Sequence, residues 1–300
     1  MIRQIAENGS SLHHAIRLAV AYADVFDYPL SEKEIHRYLP DVTADFPAVY
    51  EILRHGTDFL RCQDGFYTLF GREALVKIRI QREETARRLW PQALHYGKII
   101  ARIPFVRMVA ITGALAMNNV ENDADVDYFI VTEPGHVWLT RALVLMVGRF
   151  SSRRGVTLCP NYLVSLRAMV FPDKILYAAH EVAQMIPLAG MDVYEEIREQ
   201  NTWALDLLPN SAGIPTEPVH ISQPIPYSIS RPFLEAVMQT PPFRWLESWE
   251  MDRKIRKLRG EQSLSGESTF SADVCKGHMH RHQQRTDRAL KERLRLIEKI

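Results

Sequence analysis

The stretch Ile111-Thr-Gly-Ala-Leu-Ala-Met-Asn-Asn-Val-Glu-Asn-Asp-Ala-Asp-Val-Asp-Tyr-Phe-Ile-Val-Thr132 decides the fold. It begins at the end of an apolar run, Val106 to Thr112, that predicts a buried strand, and Gly113 breaks this run. Asp125 and Asp127 stand at the start of a second apolar run. Because side chains alternate between the two faces of a strand, both carboxylates would point the same way. Paired carboxylates suit a divalent metal, and backbone N–H groups at a glycine turn suit a phosphate.

This pattern resembles the DNA polymerase β-like nucleotidyltransferase superfamily, in its minimal nucleotidyltransferase type. The resemblance covers roughly residues 100–165. It implies that Gly113 and Ala114 form a turn that binds the phosphates of a nucleoside triphosphate. It also implies that Asp125 and Asp127 are the catalytic acids, which bind Mg²⁺ or Mn²⁺ on that triphosphate. The acceptor hydroxyl stays open, as a small molecule or a protein side chain.

Two positions depart from the superfamily pattern. Ala114 replaces the usual serine, which removes a hydroxyl donor and leaves the backbone N–H. The next predicted strand, Val156 to Ser165, has Asn161 where a third carboxylate is expected. An amide oxygen can coordinate a hard cation, so Asn161 is the candidate for a third metal ligand. Without a third carboxylate, weaker metal binding is expected, and no obvious group would take the proton of the acceptor.

The fold class expected from the whole chain is α+β, with a nucleotidyltransferase-like mixed sheet and helices. Four parts are predicted: a winged-helix-like domain (1–71), connecting helices (72–104), a nucleotidyltransferase-like domain (105–208), and a Pro-rich connector with a helical C-terminal region (209–300). In the second part, one helix ends at Pro91 and another runs to Ile100. In the third, helices are predicted over 175–186 and 191–207. In the last, six prolines indicate an extended connector over 209–232, and Gly and Ser indicate a flexible loop over 260–271.

The winged-helix prediction depends on three helical patterns followed by a hairpin. Ser31 and Glu34 form a capping box that begins the second helix, and Asp64-Gly65 is a strong hairpin turn. The third helix, Ala44 to Arg54, has Arg54 as its one Lys or Arg. Since phosphate contacts supply most DNA affinity, this composition argues against DNA binding by the N-terminal domain. A structural or partner-docking role is the preferred alternative.

Two cationic segments have more than one interpretation. Residues 77–91 carry Arg79, Arg82, Arg87 and Arg88, which we interpret as a solvated face of a connecting helix. If this helix lies beside the acids, Arg87 or Arg88 could contact a triphosphate. Residues 273–282 gather one thiol, one lysine and three imidazoles: Cys275, Lys276, His278, His280 and His282. Lys276 is a candidate phosphate ligand, the cysteine and histidines could bind zinc, and a surface cluster is the third alternative.

The composition of the 300-residue chain limits the other possibilities. A 46% hydrophobic and 24% charged sequence is typical of a globular protein, and a net charge of +1 gives no general attraction to nucleic acid or membranes. Three widely spaced cysteines favour a reducing compartment. With no apparent leader and no long apolar span, we expect a cytoplasmic protein without membrane contact.

The leading functional hypothesis is therefore a metal-dependent nucleotidyltransferase. A second hypothesis, motivated by Ala114 and Asn161, is a nucleotide-binding or regulatory protein whose transferase site has decayed and whose winged helix docks a partner. A third is an interaction domain stabilised by a metal on Cys275 and its neighbouring histidines. The pair His180-Glu181 is interpreted as a packing or hydrogen-bonding pair.

Overall fold

The computed structural model describes residues 2–122, 124–215, 231–261, 269–277 and 282–297. It confirms an α+β fold in which helices cover a mixed β-sheet. Within the described residues, no helix is both long and apolar enough to cross a membrane.

The N-terminal part contains three helices and a small antiparallel sheet with strand order β1-β3-β2. Its elements are α1 (Ile2–Asp24), β1 (Leu30–Ser31), α2 (Glu32–Arg37), α3 (Phe46–His55), β2 (Leu60–Gln63) and β3 (Phe66–Leu69). The predicted capping box is confirmed, because Ser31 Oγ accepts from the N–H of Glu34 and the Glu34 carboxylate accepts from the N–H of Ser31. The predicted hairpin is also confirmed. Asp64 and Gly65 both have positive φ, as its tight turn requires.

A single long helix, α4 (Leu75–Ala101), connects this part to the large sheet. The prediction of two helices divided at Pro91 is wrong, because α4 continues through the proline. A proline inside a helix costs about 3 kcal/mol. Trp90, Tyr96 and Ile100 are buried in the core beneath this helix. Each such burial contributes about 1.5–3 kcal/mol, so packing outweighs the local penalty.

The large sheet has six strands in the order β7-β4-β5-β6-β9-β8. The strands are β4 (Val106–Ile111), β5 (Val126–Thr132), β6 (Leu158–Ser165), β7 (Ile186–Ala189), β8 (Thr269–Phe270) and β9 (Val274–Lys276). The pair β5 and β6 is parallel and every other neighbouring pair is antiparallel. The helices between them are α5 (Gly113–Ala116), α6 (Val137–Ser152), α7 (Leu176–Gln184), α8 (Met191–Gln200) and α9 (Trp203–Leu207).

The edge strand β7 corrects the helix predicted over 175–186, which ends at Gln184 instead. Pro187 is compatible with this strand because β7 lies at the edge of the sheet. Gly190 follows with a φ of +75°, and a Cβ there would lie 2.8 Å from Cα of Met108. The chain therefore turns against β4 where only glycine fits. The single helix predicted over 191–207 is likewise two helices, α8 and α9.

The two faces of the large sheet are covered by different helices. Buried residues of α4 and α6, including Trp90 and Trp138, share one core with Tyr128 and Ile130 of β5. Residues of α7, α8 and α9 form a second core with Phe129 and the other side chains that alternate with these. The acid pair therefore belongs to the face covered by α7, because Asp127 and Phe129 point the same way.

The C-terminal region contributes both helices and strands. It contains α10 (Arg231–Met238), α11 (Pro241–Glu261), the β8–β9 hairpin and α12 (His282–Ile297). The prediction of a mainly helical region missed this hairpin, which extends the large sheet beyond β6. Residues 216–230 of the predicted connector and 262–268 of the predicted loop lie outside the described residues. The helix α12 packs on α1, where Arg293 donates to the buried Asp24 at 2.5 Å.

The N-terminal part packs on the α7 side of the large sheet. The Tyr28 hydroxyl donates to the carbonyl of Met117 at 2.5 Å, and Tyr38 lies in the second core. Tyr22 of α1 stacks on His180 of α7, with ring centroids 4.0 Å apart. These contacts leave a cavity between the two parts.

Candidate active site

The acid pair packs directly on the glycine turn. Gly113 follows β4 with a φ of +65°, and a Cβ at this position would lie 3.2 Å from Cγ of Asp127. The preceding residue, Thr112, donates its N–H to the Asp127 carbonyl at 3.1 Å. Asp125 lies just before β5 and is exposed. Only glycine allows both the left-handed backbone and the close approach of this carboxylate.

One cavity brings the predicted site residues together. It has a volume of about 570 Å³ and lies between the N-terminal part and the large sheet. The sheet side contributes Gly113, Ala114, Asp125, Asp127, Cys159 and Asn161. The N-terminal side contributes aromatic rings: Tyr22, Phe26, Tyr28 and Tyr38. A chamber with carboxylates at one wall and aromatic rings at another can hold a small organic molecule against the acids.

The strand β6, where a third carboxylate was expected, has two uncharged residues near the acids. Cys159 lies opposite Asp127 in the parallel pairing of β5 and β6, and its thiol hydrogen-bonds the Asp127 carboxylate. The register then shifts, and Asn161 lines the same cavity. Sequence reasoning identified Asn161 and missed Cys159, because the irregularity that places both residues near the acids is a property of strand pairing.

Burial changes the acid–base properties of this pair of side chains. It raises the pKa of Asp127 from 3.8 to about 7, against the thiol hydrogen bond, and the charges of Asp125 and Glu181 also raise it. Burial, with the neighbouring Asp127 carboxylate, raises the pKa of Cys159 to about 12. The thiol is therefore protonated near neutral pH and acts as a donor. A cation at the site would favour the ionised form of Asp127.

One face of α7 forms another wall of the cavity. Tyr177, His180, Glu181 and Gln184 all line it, at the i, i+3, i+4, i+7 spacing of a helix face. The opposite residues, including Ala179 and Val182, are buried in the second core. Burial lowers the pKa of His180 to about 3, so its ring is neutral. The interpretation of His180 as a packing residue agrees with its stacking on Tyr22, whereas Glu181 reaches the cavity.

A second, more open recess adjoins the glycine turn. Arg82 of α4 lines it together with Ala114 and Asn119, both of which also line the main cavity. Arg82 donates to Asn119 at 3.0 Å and to the exposed Glu121 at 2.5 Å. Arg87 and Arg88 are exposed and pair with Glu84 of their own helix. Arg82, rather than either of them, is the arginine placed beside the predicted phosphate turn.

Arg79 lies in the protein interior and is held by internal contacts. It is buried, pairs with Glu34 and Glu83, and lies over the ring of Tyr28. The cationic stretch of α4 therefore divides into an internal cation, a cation at the recess, and two solvated ones.

The segment that begins at Cys275 meets the cavity only in part. Cys275 is buried in the first core, on the sheet face opposite Asp127, which argues against a metal shared with the cavity. Lys276 pairs with Tyr162 in the sheet and holds its ammonium 5.2 Å from that ring centroid. Gly277, the next residue, lines the cavity. His278, His280 and the side chain of His282 lie outside the described residues.

Two carboxylates of the cavity could serve as ligands of a divalent cation. Among the described residues, no group of three His, Cys, Asp or Glu side chains could hold a metal ion by itself. Asp125 and Asp127 nevertheless offer two carboxylates to one cavity. Mg²⁺ is commonly held by one or two carboxylates together with substrate phosphates and water, which is the arrangement these residues allow.

Comparisons of the chain with protein-family models, curated proteins and solved structures gave no match. Functional inference for this protein therefore depends on the geometry of the cavity.

Proposed function

We propose that this protein is a metal-dependent nucleotidyltransferase that moves a nucleoside monophosphate from a nucleoside triphosphate to a hydroxyl acceptor. One observation carries the proposal: the Asp127 carboxylate packs on the Gly113 turn, and both line the cavity that also receives Asp125. This geometry would place two anionic metal ligands beside backbone N–H groups that begin a helix and have no partner within it. That combination suits a metal–triphosphate substrate.

In the proposed reaction, Asp125 and Asp127 would hold the Mg²⁺ or Mn²⁺ ion. The bound cation would supply charge neutralisation at the phosphates. The N–H groups of Gly113 and Ala114 orient the phosphates, and Arg82 offers a charge-assisted donor from the adjoining recess. The acceptor oxygen attacks the α-phosphorus, a new P–O ester bond forms, and pyrophosphate leaves.

We also propose a division of the chain into a winged-helix-like unit and a nucleotidyltransferase-like unit. The order helix, strand, helix, helix, strand, strand from α1 to β3 supports a winged-helix-like unit over 1–71. Residues 105–208 would form the nucleotidyltransferase-like unit, completed by β9 from the C-terminal region. We assign the N-terminal unit to the cavity wall rather than to DNA. Its third helix, α3, pairs Arg54 with Glu51. Tyr22, Tyr28 and Tyr38, which lie outside α3, line the same cavity as the acids.

The direct test is incubation of the protein with each α-³²P-labelled nucleoside triphosphate, MnCl₂ or MgCl₂, and a panel of hydroxyl acceptors. We expect pyrophosphate release and labelled product from the wild type, and loss of both in Asp127→Asn. Exposed Asp206→Asn is the matched control and should retain activity. If the wild type and Asp127→Asn bind no triphosphate and release no pyrophosphate, the proposal is wrong.

A second candidate function is nucleotide binding without transfer. The thiol of Cys159 next to Asp127, in place of a carboxylate, favours it because this thiol adds no negative charge for a metal. Equilibrium binding of Mn²⁺–ATP, with no release of pyrophosphate from the ATP in the presence of any acceptor, would support this function. Repeated turnover with one acceptor would exclude it.

A further inference from the structure

The strand β6 supplies no carboxylate that could take the proton of the acceptor hydroxyl. When an acceptor hydroxyl attacks phosphorus, its proton must pass to a base, and a positioned carboxylate commonly accelerates such a step by about two to four decades. Cys159 is a protonated thiol with a pKa raised to about 12 by burial, and Asn161 has no basic group. Asp125 and Asp127 are assigned to the metal. Another group must face the acceptor.

The cavity face of α7 offers four side chains for this role. Tyr177 and Gln184 carry a phenol and an amide, which are not bases near neutral pH. His180 is buried, stacked on Tyr22 and held by Gln184 at 3.2 Å, and its lowered pKa makes it a weak base. Glu181 is half-buried, and it is the one carboxylate among the four.

The position of Glu181 places its carboxylate near Asp127 but not in a metal-holding group of the described residues. Its charge raises the pKa of Asp127, of Tyr22 on α1 and of Tyr162 on β6, so it lies among these three elements. Within the described part of the chain, however, Asp125, Asp127 and Glu181 do not form a group that could hold a metal. Glu181, Asp125 and Asp127 line the same cavity, so an acceptor held there could contact Glu181 while a metal is held by the acid pair.

We propose that Glu181 is a catalytic residue that takes the proton of the acceptor hydroxyl. The inference rests on the proposed transferase function. The acceptor O–H bond breaks and its proton passes to the Glu181 carboxylate. The acceptor oxygen forms the bond to the α-phosphorus, and the bond from this phosphorus to the β-phosphate oxygen breaks. Pyrophosphate carries away that electron pair, and the proton on Glu181 is returned to solvent.

The experiment compares wild type, Glu181→Gln, Glu181→Ala and the exposed control Glu195→Gln on α8. Two quantities are measured: binding of Mn²⁺–ATP by electron paramagnetic resonance, and release of labelled pyrophosphate from γ-³²P-labelled ATP with water or glycerol as the acceptor. We expect Glu181→Gln to bind Mn²⁺–ATP like the wild type and to release pyrophosphate about 10²–10⁴-fold more slowly. Added formate should partly restore release in Glu181→Ala, because it places a carboxylate in the vacated space.

The outcomes distinguish this inference from the function on which it rests. Unchanged pyrophosphate release in Glu181→Gln, with a wild type that is active, overturns the inference and leaves the transferase function standing. Loss of Mn²⁺–ATP binding in a Glu181→Gln protein that melts like the wild type overturns it too, because Glu181 is then a ligand. A wild type that neither binds Mn²⁺–ATP nor releases pyrophosphate overturns both proposals.

Discussion

Replacing Gly113 by alanine tests whether the close approach of Asp127 to the glycine turn is essential. Alanine would keep the residue small while adding one methyl group where the Asp127 carboxylate packs. Gly135→Ala is the matched control. Gly135 also has a positive φ, of +77°, but a Cβ there has no neighbour within 4 Å.

The expected magnitudes follow from these two environments. An L-residue in the left-handed region costs about 1–2 kcal/mol, and both variants carry this penalty. In Gly113→Ala the new Cβ would lie 3.2 Å from Cγ of Asp127 and closer still to a carboxylate oxygen, so the side chain must leave its rotamer. That displacement adds about 0.5–1.5 kcal/mol. We therefore expect the free energy of unfolding to fall by about 1.5–3.5 kcal/mol in Gly113→Ala and by about 1–2 kcal/mol in Gly135→Ala.

The assay is urea unfolding followed by tryptophan fluorescence, with binding of Mn²⁺–ATP measured on the folded proteins. In an Asp127→Ala background the carboxylate is absent, so Gly113→Ala should cost only the φ penalty. Nucleotide binding should be lost in Gly113→Ala and retained in Gly135→Ala. Equal costs of Gly113→Ala in the two backgrounds, or equal nucleotide binding by both glycine variants, would refute the reasoning.

Three further predictions concern the same site. In metal-free buffer, the raised pKa of Asp127 should make the wild type lose stability relative to Asp127→Asn as the pH rises from 4 to 8. A pKa raised from 3.8 to about 7 corresponds to about 4 kcal/mol of stability, measured as the difference between two urea titrations. At pH 7.5, iodoacetamide should alkylate exposed Cys62 and spare Cys159, whose thiol stays protonated, as read by mass spectrometry. Arg82→Ala should weaken Mn²⁺–ATP binding by about tenfold, and Arg88→Ala should not change it, by calorimetry.

Each of these has a clear contrary result. In the first prediction, stability falls as the pH rises because Asp127 is a buried acid whose folded pKa lies above its unfolded pKa. The stabilisation of the folded protein by protonated Asp127 is fully present below pH 3.8 and is lost as the pH rises through about 7. Parallel stability curves for the two proteins would contradict it. Comparable alkylation of Cys62 and Cys159 would contradict the second prediction. Equal losses of Mn²⁺–ATP affinity in Arg82→Ala and Arg88→Ala would contradict the third.

Local sequence signals predicted the parts of this structure that depend on neighbouring residues. The capping box of Ser31 and Glu34 and the turn at Asp64 and Gly65 are confirmed because their partners lie within three residues. The strand that carries Asp127 is long enough, at seven residues, to show a clear apolar pattern. These features need no knowledge of distant packing.

Features set by distant packing were not predictable. The four-residue β7 contains Pro187, and its pairing with β4 depends on residues 75 or more positions earlier. The three-residue β9 is too short for a period-2 signal. The placement of Cys159 beside Asp127 needs the register of β5 and β6. The spacing of Tyr177, Glu181 and Gln184 marks a helix face, but its exposure to a cavity depends on how the N-terminal part docks.

The strand β9 has a consequence for the order in which this site can form during synthesis. Asp125, just before β5, and Asp127 on β5 leave the ribosome well before β9, which pairs with β6 and leads into Gly277 at the cavity. The helix α12, whose Arg293 donates to Asp24 of α1, emerges later still. A nascent chain that already carries both aspartates therefore has an open chamber. The cavity lining that includes Gly277 becomes possible only when translation has passed residue 277.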